Sequence, residues 1–302
     1  MANIVLHRFY WSFKPVDPDA DDERWERVHE FNARLVERNV RILRGFWVKV
    51  GQYMSSRGDV MPAAWVRELS KLQDAMPKRS GHEVRADIEA ELGCPLDTVF
   101  TDFEDVALAS ASIAQVHRAT LKTGQQVVCK VQHRNIQTIM KHDLQNLFVI
   151  VDWVAYFDPS YDFRPVLDEW SKVAVKELDF RNEMLSSERV RANMADAKLD
   201  VIVPAMFKKY CTERLLTMEF AKGFKVTDSE LLDAHGIDRE ALMRRICQAF
   251  AHQVYVQGFF NCDPHPGNLL IQVGEDGTAR PVLLDYGMCR ELNDEKRIAF
   301  AR

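Results

Sequence analysis

The sequence predicts an α+β protein built as a helical extension, a small β-rich lobe, a short linker and a mainly helical lobe. Three observations predict it. Apolar residues recur at helical spacing through the first hundred positions. Near Thr101 the texture changes to strand-like runs paired about the turn signal "KTGQ". After "AKG" at 221–223, a strongly capped helix leads to a polar loop and a second hairpin.

The elements follow in order. Between residues 24 and 53, Trp25, Val28, Phe31, Leu35, Val40, Leu43, Phe46, Trp47 and Val50 recur at mostly helical spacing. "VMPAAWVRELSKLQDAMP" has a proline opening a helix and another closing the segment. "SGHEVRADIEAELG" carries a helix-start Ser80 and a helix-stop Gly93. "QVHRATL" and "QVVCKVQ" then predict a hairpin, and a long helical region runs from Asn135 to about Ala197. "VIVPAMF" and "ERLLTMEF" read as two further strands, from Val201 and Glu213. Residues 238–258 predict a helix with a capping Asp238 and a stop at Gly258, and "NLLIQV" and "RPVLLDYG" a hairpin around "GEDG". A small β-rich lobe, a linker and a helical lobe make the plan of a protein-kinase-like bilobal fold. The expected divisions are 1–100 for the extension, 101–222 for the small lobe with inserted helices, and 223–302 for the start of the larger lobe.

Composition bounds the function. The 302 residues carry a net charge of −5, with 47% apolar and 28% charged residues. That balance fits a globular protein and argues against nucleic acid as a partner, which needs a concentrated basic field. The six cysteines form no C-x-x-C pair, so a zinc ribbon or dithiol redox motif is not expected, and they read as reduced, partly buried thiols. The most apolar run, "LFVIVDWVAYF" at 147–157, is too short to span a bilayer and is broken by Asp152. No signal peptide is readable at the N-terminus, where Tyr10, Trp11 and Phe13 could touch a membrane surface or pack on the protein.

The residues with chemical potential lie in the second half. In "NCDPHPGNLLI" (261–271), Asp263 and Asn268 are five positions apart. One loop can aim such a pair at a γ-phosphate, the Asp toward an acceptor hydroxyl and the Asn toward magnesium. The plainer alternative is a turn in which both side chains bond to backbone. Asp285 ends an apolar strand before Gly287, a place for a second magnesium ligand. Cys262, Asp263 and His265 also raise a zinc site, but no second Cys/His cluster lies near them in sequence. Lys130 interrupts the apolar strand "VVCKVQ". It either sits at an edge with its ammonium in water or neutralises the α/β-phosphates of ATP. Its candidate partners are Glu177 and Glu183, six apart and so on different helix faces. The Ala/Ser-rich "LASASIAQV" stands where a kinase carries its glycine-rich loop. Lys49, Gly51 and Gln52, at the end of an amphipathic helix, read as structural on spacing alone.

Several pieces together resemble one family. "KVGQ" (49–52), "ASASIAQVHRA" (109–119), "VVCKVQH" (127–133), "ELDFRNE" (177–183), "MEFAKG" (218–223), "DPHPGNLL" (263–270) and "LLDYGM" (283–288) stand in the order found in the UbiB/aarF-domain-containing atypical kinases. They cover most of the chain from about residue 40 and are far more specific as a set than singly. The chain looks most like the animal-mitochondrial branch, associated with coenzyme Q and isoprenoid lipids. The resemblance implies that Lys49 and Gln52 form a lid bound by Glu177 and Asp179, and that Glu183 pairs with Lys130. It implies a loop at Ala111 and Ser112 that replaces the glycine-rich loop, and a hinge at 219–222, including Glu219 and Ala221, contacting adenine. Asp263 becomes the catalytic-loop aspartate, and Asn268 and Asp285 the magnesium ligands. Three departures stand out: "DYG" in place of the Phe form, "NC" before Asp263, and an end at Arg302 that is expected to leave the larger lobe truncated.

The expected activity is a Mg-ATP-dependent (or ADP-binding) kinase or ATPase. Its partners would be a nucleotide, an isoprenoid lipid or membrane surface and proteins of a lipid-synthesis complex, at a mitochondrial membrane and without nucleic acid. The competing expectation is a nucleotide-sensing pseudokinase scaffold. A helical scaffold with no nucleotide site would leave Lys130 and Asp285 unexplained.

Overall fold

The structure is a computed structural model that describes residues 18–73, 78–159 and 162–302. Tyr10, Trp11 and Phe13 lie outside them. In chain order the elements begin α1 (Pro18–Leu43), α2 (Gly45–Ser56), α3 (Ala63–Leu69), α4 (Gly81–Leu92), α5 (Leu96–Val99), β1 (Phe100–Phe103), β2 (Ala109–Ser110), β3 (Ala114–Leu121) and β4 (Gln126–Gln132). They continue α6 (Ile136–Phe157), α7 (Arg164–Glu177), α8 (Phe180–Asp196), β5 (Leu215–Glu219), β6 (Phe224–Lys225), α9 (Ser229–Ala234) and α10 (Arg239–Ala251). The last are β7 (Phe259–Asn261), β8 (Leu269–Val273), β9 (Ala279–Leu283), β10 (Cys289–Glu291) and α11 (Asp294–Ala301). The described residues divide into two compact units, the first made of those within 1–78, 109–114 and 133–167, the second of those within 79–108, 115–132 and 168–302.

The first unit is helical. Ala33 and Val40 of α1, Val48 of α2, and Trp65, Leu69 and Leu72 share one apolar core. The stretch 24–53 is helical, as its mostly helical spacing predicts, but in two helices. It breaks at Arg44 and Gly45, which both adopt positive φ, 61° and 54°. The cause lies far along the chain: Asp143 of α6 accepts the Phe46 N–H at 2.9 Å and takes the start of α2. A Cβ on Gly45 would sit 2.5 Å from that carboxylate, so only glycine fits there. Gly51 is also placed differently from its expected position near a helix end. It lies inside α2, buried, where a Cβ would come within 2.4 Å of Leu72 Cδ1.

In the second unit, β1, β3, β4 and β5 pair in that spatial order. Strand alternation puts Val127, Cys129 and Val131 of β4 on one face. There they pack with Val84 and Ile88 of α4, Phe100, Leu121 and Leu215. Lys130 faces the other way, opposite Leu216 in register. The expected strand from Val201 does not form: the segment makes only isolated bridges at Ile202 and Met206. Pro204 between them has no N–H for a ladder. A second sheet runs β6–β8–β9, and its core joins Ile271 and Leu283 to Val190 and Met194 of α8 and Leu242, Ile246 and Ala249 of α10.

The helical region after Asn135 is three helices. Asp179 ends one and caps the next, its side chain accepting the Arg181 N–H at 3.0 Å. Glu177 and Glu183 are therefore on separate helices. Asp238 caps α10 through the N–H groups of Glu240 and Ala241. That helix loosens into a π-helical turn at His252–Gln257 before Gly258 adopts φ 63°. No helix among the described residues is long and apolar enough to cross a membrane.

Candidate functional site

Lys130 is held by two carboxylates. Its Nζ donates to both Glu183 oxygens, at 2.7 and 2.9 Å, and lies 3.8 Å from Asp285 Oδ2. The Phe180 ring is 5.3 Å from the ammonium. The Lys130 and Glu183 side chains are 13% and 5% exposed, and Asp285 is 39% exposed. Burial pulls the Lys130 ammonium down, but Asp285 and Glu183 outweigh it and hold the group charged, above its ordinary range. The lysine sits in an inner strand of the sheet rather than at an edge with its ammonium in water.

Asp285 is aimed by its own loop. The Gly287 N–H donates to its Oδ1 at 2.8 Å. Asn268 closes the short 3-10 turn Pro266–Asn268, and its N–H donates to the His265 carbonyl at 2.9 Å. Its own carbonyl accepts the Leu284 N–H at 3.1 Å, so Asn268 faces the residue before Asp285 across the β8–β9 ladder. Asp263, Asn268 and Asp285 all line one cavity, with Phe250, Gln253 and Tyr286 among its other walls. The loop and the strand end that were far apart in sequence are thus one place.

His265 is occupied locally, its Nδ1 accepting the Gly267 N–H at 3.0 Å. Among the described residues no three His, Cys, Asp or Glu side chains are gathered around a metal position. Asn268 and Asp285, which line the same cavity, are the residues that would supply oxygen donors to a metal there. That partial hard-oxygen shell fits magnesium shared with phosphate and water, not a closed zinc cage. All six cysteines are free thiols, and burial pushes Cys129 and Cys289 up to about 12, away from the thiolate form.

Other residues singled out in the sequence have local partners. Glu219 ends β5; its N–H donates to Ala205 O at 2.9 Å, and Phe220 N–H donates to Gln126 O at 3.0 Å. Ala221 follows in the link to β6. Ala111 and Ser112 belong to the first unit, where the Ala111 N–H donates to Ala114 O at 2.7 Å and the His133 ring donates to Ala111 O at 3.1 Å. Lys49 and Gln52 lie on α2, and Gln52 Nε2 donates to Leu72 O at 3.2 Å. Asp179 pairs with Arg181 at 2.8 Å, an attachment that pulls its carboxyl below the ordinary range.

Two residues of the site went unnoticed in the sequence. Asn261 bonds to both Asp263 and Asp285, and Gln253 supports it. An asparagine two positions before an aspartate is a turn signal that could have exposed the first half of this arrangement.

Residues 71–302 match the ABC1 atypical kinase-like domain. AarF domain-containing protein kinase 1 of Gallus gallus is 33% identical over 302 residues, covering 99% of this chain and 58% of that protein. A probable protein kinase UbiB of Erwinia tasmaniensis is 35% identical over 255 residues, covering 83% of this chain and 47% of that one. The chain spans from 35% to 58% of the length of the curated relatives it matches. The solved structure of an Rv3197–erythromycin complex from Mycobacterium tuberculosis shares the fold, with a TM-score of 0.58 at 25% identity over 90% of this chain and 68% of that one. With a kinase-like α+β fold, motifs in family order and a domain match over most of its length, the chain belongs to the ABC1 atypical kinase-like family, the group of the UbiB and AarF-domain kinases.

Proposed function

We propose that this chain binds a nucleoside triphosphate with magnesium and acts as an atypical kinase or ATPase. The observation that carries the reading is the Lys130–Glu183 pair beside Asp285, in a unit where Asp285, Asn268 and Asp263 line one cavity. Lys130 is held charged where it can bind the α- and β-phosphates of ATP or ADP, and Glu183 keeps its side chain from swinging away. Asn268 and Asp285 are the residues that would hold magnesium, which would supply positive charge against the transferred phosphoryl group. Asp263 takes the proton at the acceptor hydroxyl or orients the attacking water. In this reading the hinge at 219–222 receives the base, and the lobes divide as 101–222 and 223–302.

The test is thermal unfolding with ATP, with and without magnesium. Ligand at about a hundred times its dissociation constant should stabilise the fold by roughly 2.7 kcal/mol. Asp285→Asn should lose the magnesium-dependent part. An equal shift in the variant, or none in the parent, removes the reading.

The finer proposal, drawn from the family resemblance, places this activity in coenzyme Q or isoprenoid-lipid homeostasis at a mitochondrial membrane. There Lys49 and Gln52 form a lid that Glu177 and Asp179 bind. Support for a lipid surface comes from α6, where Val149, Ile150, Trp153, Tyr156 and Phe157 recur on one helical face and are 46% to 81% exposed. Trp and Tyr bodies of this kind settle at a membrane–water boundary. Co-sedimentation with anionic vesicles should fall in Trp153→Ser and Tyr156→Ser, and unchanged binding counts against a lipid surface. A second reading, a nucleotide-sensing scaffold for a lipid-synthesis complex, is favoured by the glycine-free loop at Ala111 and Ser112. Cells rescued by Asp263→Asn would support it, and failed rescue would support catalysis.

A further inference from the structure

Asn261 uses both ends of its carboxamide. Oδ1 accepts the Asp263 N–H at 2.8 Å, and Nδ2 donates to the Asp285 carbonyl at 2.7 Å, 24 residues away. The orientation of the amide is dictated by its partners. A backbone N–H can only donate and a carbonyl can only accept, so a flipped amide would face donor with donor and acceptor with acceptor. The Asn261 backbone is fixed as well. Its N–H donates to Gln253 Oε1 at 3.2 Å, and its register partner across the β7–β10 ladder is Cys289. Gln253 is buried on the π-helical turn, a type of distortion that recurs at functional sites.

We propose that Asn261 is a positioning residue that ties the backbone of the Asp263 loop to the backbone of Asp285, so that the proton acceptor and the metal ligand keep one fixed separation. Asn261 lines the same cavity, but both of its amide atoms are engaged by these two backbone groups, so it acts through Asp263 and Asp285. Aspartate at this position could still accept the Asp263 N–H, but it would set a second acceptor against the Asp285 carbonyl. Leucine, of similar shape, would break both bonds. The inference rests on the nucleotide-binding reading for its consequence: an Asp285 freed from Asn261 pays more order to the metal on binding.

The experiment has two readouts on the full chain. The first is the magnesium concentration that gives half of the ATP-induced thermal shift. Removing a group that orients a metal ligand typically weakens metal binding about tenfold or more, so the half-point should rise about tenfold in Asn261→Leu. A lowered melting temperature with an unmoved half-point means a merely structural role and overturns the proposal. The second readout is amide hydrogen exchange without nucleotide. Asn261→Leu should speed exchange in both 261–268 and 285–291, and Asn261→Asp only in 285–291. Unchanged exchange in either segment of the leucine variant overturns the proposal, whether or not ATP binds. If the exchange pattern appears but the parent shows no magnesium-dependent shift, the nucleotide reading fails and the tether between the two segments stands.

Discussion

Lys130 and Glu183 form an ion pair in which one ammonium is held by both oxygens of one carboxylate, at 2.7 and 2.9 Å. One partner comes from an inner strand and the other from the first turn of α8, so the pair fastens the helix to the sheet. Removing one member of such a pair leaves the other buried and uncompensated, at a cost of about 3–5 kcal/mol. Lys130→Met should lower stability by an amount near that range in denaturant unfolding. Lys130→Met combined with Glu183→Leu should recover most of the loss, because two apolar groups need no partner. Both variants should lose the ATP-dependent shift. Because the Lys130 value is raised above that of the unfolded chain, its contribution is full below about pH 10 and is lost only as pH climbs through the folded value.

Gly51 and Gln52 meet the same neighbour. A Cβ on Gly51 would lie 2.4 Å from Leu72 Cδ1, and Gln52 bonds the Leu72 carbonyl. Alanine in a helix interior is ordinarily better than glycine by about 1 kcal/mol. Here Leu72 is part of the buried core and cannot yield freely. Gly51→Ala should therefore destabilise by about 1 kcal/mol, the overpacking cost exceeding the propensity gain. A double-mutant cycle with Leu72→Ala should give a favourable coupling of about 0.5 kcal/mol or more. A stabilising Gly51→Ala would show that the glycine is not there for packing.

Glu188 of α8 gathers three groups: Arg191 Nε at 3.2 Å, the Met206 N–H at 3.3 Å and Lys208 Nζ at 3.4 Å. Burial pushes its carboxyl up, but the bonds from Arg191 and Met206 and the nearby charges outweigh this and leave it below the ordinary range. The folded value is thus below the unfolded one. The stability it supplies is present above the unfolded value, near pH 4.3, and is lost as pH falls through the folded value. Glu188→Gln should cost about 1 kcal/mol at pH 7, where a charge-assisted set is replaced by neutral bonds. Unfolding curves of the two proteins should converge below about pH 4. A difference that persists into acid would assign the loss to packing.

Much of this was legible because it depends on near neighbours in sequence. Helix α4 carried both of its signals, Ser80 at the start and Gly93, with φ 67°, at the end. Lys130 stood out because strand alternation opposes it to Val127, Cys129 and Val131. What could not be read was set by distant partners. The break at Arg44 falls within a run of mostly helical apolar spacing, and its cause is Asp143, 97 residues beyond Phe46. Asn261 gave no sign of its bond to Asp285, because nothing local requires it. The expected strand at Val201 failed at a proline that was visible but outweighed by the apolar run around it. The separation of Glu177 from Glu183 was marked by Asp179, a good capping residue that a single-helix reading passes over.

Tyr286, in the position between Asp285 and Gly287, is fully buried in the core with Ile271, Leu283 and Ala249. Its hydroxyl has no hydrogen-bond partner among the described residues, and burial drives its ionisation far above the ordinary range. A buried unsatisfied hydroxyl costs about 1–3 kcal/mol, whereas the ring makes the same apolar contacts with or without it. Tyr286→Phe should therefore leave stability unchanged or raise it by about 1 kcal/mol, with the magnesium-dependent ATP shift intact, since Asp285 is aimed by Gly287 and not by the tyrosine. The ring itself is required: Tyr286→Ala should cost about 3–5 kcal/mol through the cavity it leaves. Denaturant unfolding of the two variants separates the roles. A loss of more than about 1 kcal/mol in the phenylalanine variant would mean that an ordered water satisfies the hydroxyl within the cavity that Gln253 also lines, and that the polar tip, not only the ring, holds the Asp285 loop in place.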